Sequence, residues 1–232
     1  DHVEQPNVDF EGGETAGLDR LQYYMWETDH VKTYKETRNG LVDQSHTSRF
    51  SPWLAQGCLS PKMVYSELKK YVEKKGANES TYWIYFELLW RDFFRLMGKK
   101  HGNRIFQLNG YSTSDKKWKE DDDLFEAWAE GRTGTPLVDA AMRQLKLTGW
   151  MSNRARQVSA SFLVNDLQLN WLMGAEWFES HLIDYDVCSN YGNWAYLAGV
   201  GSDTRDHRYF NILSQSKKYD AKGQFIRQWI PE

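Results

Sequence analysis

The sequence predicts an all-α fold, a bundle of helices without a sheet. Apolar residues recur at helical spacing in several stretches, most clearly over residues 79–100. The pairs Ser51-Pro52 and Ser60-Pro61 are typical of helix starts, because the serine can cap the helix and the proline fits its first turn. No segment shows a convincing series of strands, so we expect a helix content well above that of an average domain.

The predicted elements follow each other along the chain with short breaks. Helices are predicted over 14–28, from Ser51, over 60–74, 79–100, 123–130 and 137–147, and in a segment that opens at 149–157. Residues 34–45 and 101–122 are predicted loops, and the segment from Gly199 to the C-terminus is predicted to be irregular. Trp171 is predicted to lie in a turn before a helix start near residues 174–178.

The stretch from Asp184 to Trp194 contains two carboxylates, two further amides and an indole in a segment interrupted by Gly192. A helix would scatter these side chains and a strand would divide them between two faces. A loop could aim several of them at one ligand. We therefore predict a functional loop.

Composition narrows the class of protein. The 232 residues suffice for one large domain, which we place at residues 14–232 after a tail or linker at residues 1–13. The two cysteines are far apart and lack metal-ligand spacing, which predicts no metal site and an intracellular, reducing compartment. No apolar run has the length of a membrane span. The net charge of −3 argues against a wholly basic nucleic-acid binder, but a basic patch remains compatible with it.

Two local patterns allow an ordinary and a functional interpretation. The hydroxyls of residues 47–51 precede a helix start, and they form either a common N-cap or an anion site. Glu87 lies in the apolar stripe of the helix at 79–100, where Arg91 one turn later could be its partner. The functional alternative is that Glu87 faces a cleft.

Four strings resemble those of the cryptochrome/photolyase family, in the same order and at similar spacing. They are residues 47–52, 87–93, 148–154 and 184–194. The likeness runs from about Glu11 to Pro231 and corresponds to the helical, FAD-binding half of that family, without the N-terminal α/β antenna domain. Residues 11–17, 173–178 and 199–201 are most similar to DASH-type cryptochromes.

The resemblance implies a non-covalent FAD deep in the helical bundle, and no antenna pigment on this chain. Hydroxyls at a helix start would hold the pyrophosphate, the pair of Arg156 and Asp184 would flank the flavin ring, and Asn190 would face flavin N5. The implied cofactor-binding residues are Tyr34, Thr47, Ser48, Arg49, Ser51, Arg91, Asn153, Arg156, Asp184, Asp186 and Asn190.

The resemblance also implies light-driven chemistry on DNA. The implied catalytic residues are Glu87, Trp90, Asn153 and Asn190; the implied electron-transfer residues are Trp118, Trp171 and Trp194; and the implied DNA contacts are Trp90, Arg154, Gln157 and Tyr196. Gln157 and Tyr196 stand where class I photolyases usually carry Met and Trp. This makes the pocket wider and more polar, as in DASH proteins, which repair dimers mainly in single-stranded DNA. Ser152 replaces the histidine of (6-4) photolyases.

The expected function is repair of cyclobutane pyrimidine dimers by photoinduced electron transfer. The alternatives are a flavin photoreceptor or redox signalling module without repair, and a flavin-binding domain kept for its fold. We expect dimer-containing DNA as partner and no membrane association. A second copy or another protein could cover the surface left by the missing α/β domain.

Overall fold

The computed structural model describes residues 10–42, 47–113, 116–202 and 208–231. These residues are predominantly helical, and the β structure among them is one isolated parallel bridge between Lys119 and Leu169. The all-α prediction is confirmed.

The helices occur close to where their patterns predict them. In chain order they are α1 (Glu14–Gln22), α2 (Tyr34–Thr37), α3 (Ser51–Gln56), α4 (Pro61–Lys75), α5 (Glu79–His101), α6 (Asp122–Ala129), α7 (Pro136–Thr148), α8 (Asn153–Ser161), α9 (Trp171–His181), α10 (Val187–Ala198), α11 (Ile212–Tyr219) and α12 (Gln224–Trp229). Short π-helical turns extend α1 and α8, over Tyr23–Glu27 and Phe162–Asp166. Turns of 3₁₀ helix cover His30–Thr33 and Gly102–Phe106.

The two Ser-Pro starts behave differently. At α4 the hydroxyl of Ser60 accepts the backbone N–H of Met63 at 3.1 Å, as predicted for a cap. At α3 the N-cap position is Phe50, and no side chain caps the helix, so the predicted capping by Ser51 is wrong. The Ser51 hydroxyl is not used by the helix end.

The prediction of an irregular C-terminal segment is also wrong. Asn211 caps α11 by accepting the N–H of Ser214 at 2.9 Å. The carboxylate of Asp220 accepts the N–H groups of Phe225 and Ile226 at 3.0 Å each, which fixes the start of α12. Both helices are short, so their apolar periodicity extends over too few residues to be distinctive. Residues 203–207 lie outside the described part.

Three smaller predictions concern single segments. Trp171 is the first residue of α9 and not part of a turn, and Asn170 caps that helix. The predicted loop at residues 34–45 begins with the one-turn helix α2, and its residues 43–46 lie outside the described part. Of the predicted tail, residues 1–9 also lie outside it, whereas the ring of Phe10 packs 5.5 Å from that of Trp53.

Two hydrophobic clusters organise the molecule. One is built from α1, α3, α4 and the first half of α5, around residues such as Tyr24 and Tyr71. The other, larger cluster joins α7, α8, α9, α10 and α12 around Trp128 and Trp171. Helix α5 spans both, since its later part packs against α10. The segment that carries Thr47, Ser48 and Ser51 packs in the first cluster through Phe50 and Trp53, and its hydroxyl residues line a cavity together with residues of the second cluster.

Candidate functional site

A cavity of about 290 Å³ lies between the two clusters. Its volume is near the lower end of the roughly 300–1,000 Å³ of ligand pockets. Its lining includes Tyr34, Thr47, Ser48, Arg49, Ser51, Glu87, Asn153, Arg156, Gln157, Asp184, Asp186, Asn190, Trp194 and Tyr196. Most of the residues that the sequence predicts for the site therefore meet in one place. Arg91 lines an adjoining cavity, which shares Tyr34, Ser48, Ser51 and Glu87 with the first.

The predicted loop at 184–194 is largely a helix. Asp186 is the N-cap of α10, and its Oδ1 accepts the N–H of Ser189 at 2.9 Å. Asp186, Ser189, Asn190 and Asn193 all line the cavity, at intervals of three and four residues. The polar residues that a helix was expected to scatter thus share one helical face.

Gly192 lies inside α10 without interrupting it, at a position where α10 packs closely against α5. A methyl group at this position would come within 2.3 Å of the Phe94 ring on α5. The glycine therefore permits the close approach of α5 and α10. Gly174 on α9 has the same relation to α10, since a methyl group there would come within 2.3 Å of the Trp194 ring.

One side of the cavity, which we call the carboxylate wall, consists of Asp184, Asp186 and Asn190. The side chain of Asp184 is 1% exposed, and its Oδ2 accepts Nη2 of Arg156 at 2.8 Å. Arg156 is fixed by a second bond, from Nε to the carbonyl of Met151 at 3.0 Å. The other oxygen of Asp184, Oδ1, is buried and has no hydrogen-bond partner within the described residues. An N–H group of a ligand would satisfy this oxygen.

Asp186 is held by a different set of partners. Nη2 of Arg91 lies 3.2 Å from its Oδ2 and also donates to the carbonyl of Leu54 at 3.1 Å. Burial acts to raise the pKa of Asp186, but the bonds from Ser189 and the charges of Arg91 and Arg95 outweigh it and lower the pKa. Asp186 is therefore a carboxylate at neutral pH and can accept a hydrogen bond.

Asn190 is 9% exposed, and its Nδ2 donates to the carbonyl of Ala175 at 2.9 Å. This bond joins α10 to α9 and fixes the amide plane. One N–H of the amide is engaged by this bond, so the amide oxygen and the second N–H remain for a ligand in the cavity.

A second part of the lining, which we call the hydroxyl wall, consists of Thr47, Ser48 and Ser51. Arg20 of α1 holds it from behind by donating to the carbonyls of Ser48 and Thr47 at 3.0 and 2.6 Å. The next residue, Arg49, has a φ of 54°, a left-handed conformation that is uncommon outside glycine. Tyr34 lies beside this wall, and burial raises the pKa of its phenol, which thus stays protonated and can donate.

Glu87 faces the cavity, and its partner is not Arg91. Its carboxylate pairs with Arg38 of the segment after α2, while Arg91 pairs with Asp186. The proposed Glu87–Arg91 pair is therefore wrong. Arg38 is itself placed by the rings of Tyr34 and Trp83, whose centroids lie 5.6 and 5.4 Å from its guanidinium carbon.

The residues expected to contact DNA lie around the cavity mouth in different settings. Gln157 and Tyr196 line the cavity, whereas Trp90 is not among the lining residues and packs against Tyr196, with the ring centroids 6.1 Å apart. Arg154 is not among the residues that line the cavity, unlike Asn153, Arg156 and Gln157. Its Nη2 donates to Asn39 at 3.1 Å, and its guanidinium lies over the rings of Phe210 and Tyr219.

The expected electron-transfer residues lead away from the cavity. Trp194 lines it, and its ring touches Gly174, one helical turn after Trp171 on α9. Trp171 is fully buried and donates from Nε1 to the carbonyl of Leu108 at 2.9 Å. Trp118 is partly buried and precedes Lys119, which pairs with Leu169 two residues before Trp171. The three residues thus follow one another in space.

Several site residues were missed by sequence reasoning. Arg20 and Arg38 support the hydroxyl wall and Glu87 from distant parts of the chain, and no local pattern indicates such contacts. Cavity-lining residues such as Trp150, Phe178 and Leu182 were part of ordinary apolar stripes. By contrast, Ser189 and Asn193 could have been found from their helical spacing with Asp186 and Asn190.

Comparison with known proteins identifies the family of the chain. The family model described as the FAD binding domain of DNA photolyase matches residues 83–232. The chain belongs to the cryptochrome/photolyase family. Within this family it is similar to Cryptochrome DASH of Synechocystis sp., at 58% identity over 223 residues, which are 96% of this chain and 46% of the relative.

Two solved structures share the fold. A cryptochrome of Synechocystis sp. PCC6803 has a TM-score of 0.95 and 56% identity, with 100% of this chain and 48% of that chain covered. A bacterial class III photolyase from Agrobacterium tumefaciens has a TM-score of 0.86 and 35% identity, with 94% and 45% covered. The chain spans about half the length of the relatives that it matches.

Within the described residues, no helix is long and apolar enough to cross a membrane. The same residues contain no group of His, Cys, Asp or Glu that could hold a metal ion.

Proposed function

We propose that the cavity binds one FAD non-covalently, with the pyrophosphate at the hydroxyl wall and the flavin ring at the carboxylate wall. Neutral hydroxyl donors suit phosphate oxygens. The buried, unpartnered Oδ1 of Asp184 and the ionised Asp186 suit the N–H groups of a flavin ring. Asn190 would present its amide oxygen to flavin N5.

We further propose that, in the full-length protein, this domain repairs cyclobutane pyrimidine dimers in DNA, preferably in single strands. The bound flavin supplies light-driven electron transfer. The observation that carries this proposal is that Glu87, Asn153, Gln157 and Tyr196 line the same cavity as the proposed flavin residues. A base lifted out of a strand could thus lie close to the cofactor, and an unpaired strand lowers the free energy needed to lift it.

Different side chains of the site would bind the dimer, stack on it and transfer electrons. Glu87 and the amides of Asn153 and Gln157 can bind the polar edges of a pyrimidine dimer. Tyr196, with Arg208 4.3 Å from its ring centroid, offers an aromatic face beside a cation. The ring of Trp90 packs against that of Tyr196. Trp194, Trp171 and Trp118 would conduct electrons to the flavin from the surface.

The second candidate is a flavin photoreceptor or redox module without repair. It is favoured by the carboxylate of Glu87, which already pairs with Arg38 and would have to exchange this partner for a dimer. Arg154 is likewise engaged by Asn39. Cys58 and Cys188 are both free thiols, which suits the reducing compartment proposed for either function.

The deciding experiment uses the full-length protein with reduced FAD and an oligothymidylate that contains a cyclobutane dimer. Under blue light, we expect recovery of thymine absorbance, faster with single-stranded than with double-stranded substrate. Glu87→Gln should slow this recovery while flavin binding persists. A protein that carries reduced flavin but restores no thymine would refute repair and leave the second candidate standing, and a protein that cannot bind FAD would refute both.

A further inference from the structure

Trp171 lies in the middle of the proposed electron path. The fate of its oxidised form depends on which neighbouring groups can accept a proton or donate an electron. Its ring is fully buried, and its Nε1–H donates to the backbone carbonyl of Leu108. A carbonyl oxygen is a weak base, so an oxidised Trp171 cannot pass its proton there. The hole therefore stays a radical cation, which is a strong one-electron oxidant, until a neighbour fills it.

Trp118 is one possible neighbour, and its surroundings oppose a positive charge. The ammonium of Lys116 lies 4.5 Å from the ring centroid of Trp118 and donates to the carbonyl of Ala198 at 3.2 Å. A cation on the face of the indole disfavours a second positive charge on that ring. The Nε1–H of Trp118 is buried and has no hydrogen-bond acceptor within the described residues, so none of those residues takes up its proton.

Tyr191 is the other neighbour, and its surroundings favour oxidation. Its ring centroid lies 6.3 Å from that of Trp171, and the ring is 5% exposed. Its hydroxyl donates to Oε2 of Glu179 at 2.7 Å. Glu179 is exposed on α9, so its carboxylate can take up the phenol proton and release it to water.

The carboxylate also determines the resting state of the phenol. Burial, followed by the hydrogen bond to Glu179, raises the pKa of Tyr191. The phenol is thus protonated before oxidation, and loss of its electron requires loss of its proton. A positioned base makes the coupled loss possible.

We propose that Tyr191, with Glu179 as its proton acceptor, is the terminal electron donor to Trp171. This inference rests on the proposed transfer of electrons from Trp171 through Trp194 to the flavin, and it assigns the end of that path to Tyr191 instead of Trp118. One electron moves from Tyr191 to the Trp171 radical cation, the O–H bond of Tyr191 breaks, and the proton moves to Glu179. The products are a neutral phenoxyl radical, closed-shell Trp171 and a protonated carboxyl group. A soluble thiol then returns one electron, and a proton from water restores the phenol.

The test illuminates the FAD-loaded full-length protein and follows radicals by transient absorption and by electron paramagnetic resonance of frozen samples. We expect a phenoxyl signal that forms as the tryptophan radical decays, and more slowly in D₂O than in H₂O. Tyr191→Phe keeps the ring and its packing, so it should abolish this signal and shorten the charge-separated state several-fold. Glu179→Gln at the surface should keep the hydrogen bond but slow phenoxyl formation.

Two further variants serve as controls. Tyr71 is also a buried tyrosine whose hydroxyl donates to a carboxylate, Asp29, at 3.0 Å, but it lies in the other hydrophobic cluster. Tyr71→Phe should therefore leave the phenoxyl signal unchanged. Lys116→Met removes the cation beside Trp118 and should move part of the radical population onto that residue.

The outcomes separate this inference from the proposed function. Light-driven flavin reduction with a tryptophan radical alone, unchanged in Tyr191→Phe and Glu179→Gln, would overturn the role of Tyr191 and leave the electron path intact. A protein that binds FAD but forms no amino-acid radical under light would overturn both.

Discussion

The two walls of the cavity bind through different kinds of groups. The hydroxyl wall carries neutral side chains on a segment whose backbone is held by Arg20 and includes the left-handed Arg49. The carboxylate wall carries the buried Asp184 and the partly buried Asp186, each in an ion pair with an arginine, just before and at the start of α10. Because unpairing a buried charge destabilises the fold, the carboxylate wall should be structural as well as functional, whereas hydroxyls of the other wall should matter mainly for binding.

The largest expected difference concerns the Arg156–Asp184 pair. Arg156→Met would leave the carboxylate of Asp184 buried without its partner and should lower the free energy of unfolding by about 3 kcal/mol. Urea denaturation measures this loss. The control is Lys32→Met, which removes the exposed pair with Asp29 and should change stability by less than about 1 kcal/mol. If the two variants lost the same free energy of unfolding, the carboxylate wall would have no structural role.

The next largest change in stability is expected at the contact between α5 and α10, next to the carboxylate wall. Gly192→Ala would push a methyl group against the Phe94 ring, and such overpacking destabilises by about 1–3 kcal/mol. Better helix propensity of alanine offsets about 1 kcal/mol. We expect a net loss of about 1 kcal/mol in thermal or urea unfolding, and almost none for Gly12→Ala, where no atom lies within 4 Å. A stabilised Gly192→Ala variant would contradict the close contact of α5 and α10.

The smallest effect on stability depends on pH. Because the pKa of Asp186 is lower in the folded protein than in the unfolded chain, its ionised form stabilises the fold at neutral pH. This contribution is lost as pH falls below about 4, when the unfolded chain takes up the proton first. Asp186→Asn keeps an N-cap but lacks the charge, so its free energy of unfolding should vary less between neutral and acid pH. An unchanged pH dependence would show that the bonds from Ser189 and the charges of Arg91 and Arg95 do not lower the pKa of Asp186.

The same contrast explains what the sequence could predict. Long helices such as α5 and α7 have enough turns for their apolar stripes to be unmistakable, and α11 and α12 do not. The α10 segment was predicted as a loop because Gly192 looked like a helix breaker. Its role is to contact Phe94, a residue almost a hundred positions earlier, and no local pattern reports such a contact.

Site residues follow a similar rule. The family strings placed Thr47, Asp184 and Asn190 at one site, and the structure brings them to one cavity. The partners of the charged residues depend on the tertiary fold. Glu87 pairs with Arg38 rather than with Arg91 one turn away, because α2 packs along α5 and Arg91 is drawn to Asp186 on α10. Spacing within one helix cannot predict a partner from another element.

The most direct test of the account compares the affinities of FAD and riboflavin, which lacks the phosphates. Ser51→Ala, whose hydroxyl caps no helix, should weaken FAD by about tenfold, the effect of one hydrogen bond to a charged group, and leave riboflavin unchanged. Asp186→Asn should weaken both ligands by similar factors, because both contain the flavin ring. Isothermal titration of the two ligands against the two variants measures this. If Ser51→Ala weakened FAD and riboflavin equally, the assignment of phosphate to one wall and flavin to the other would be wrong.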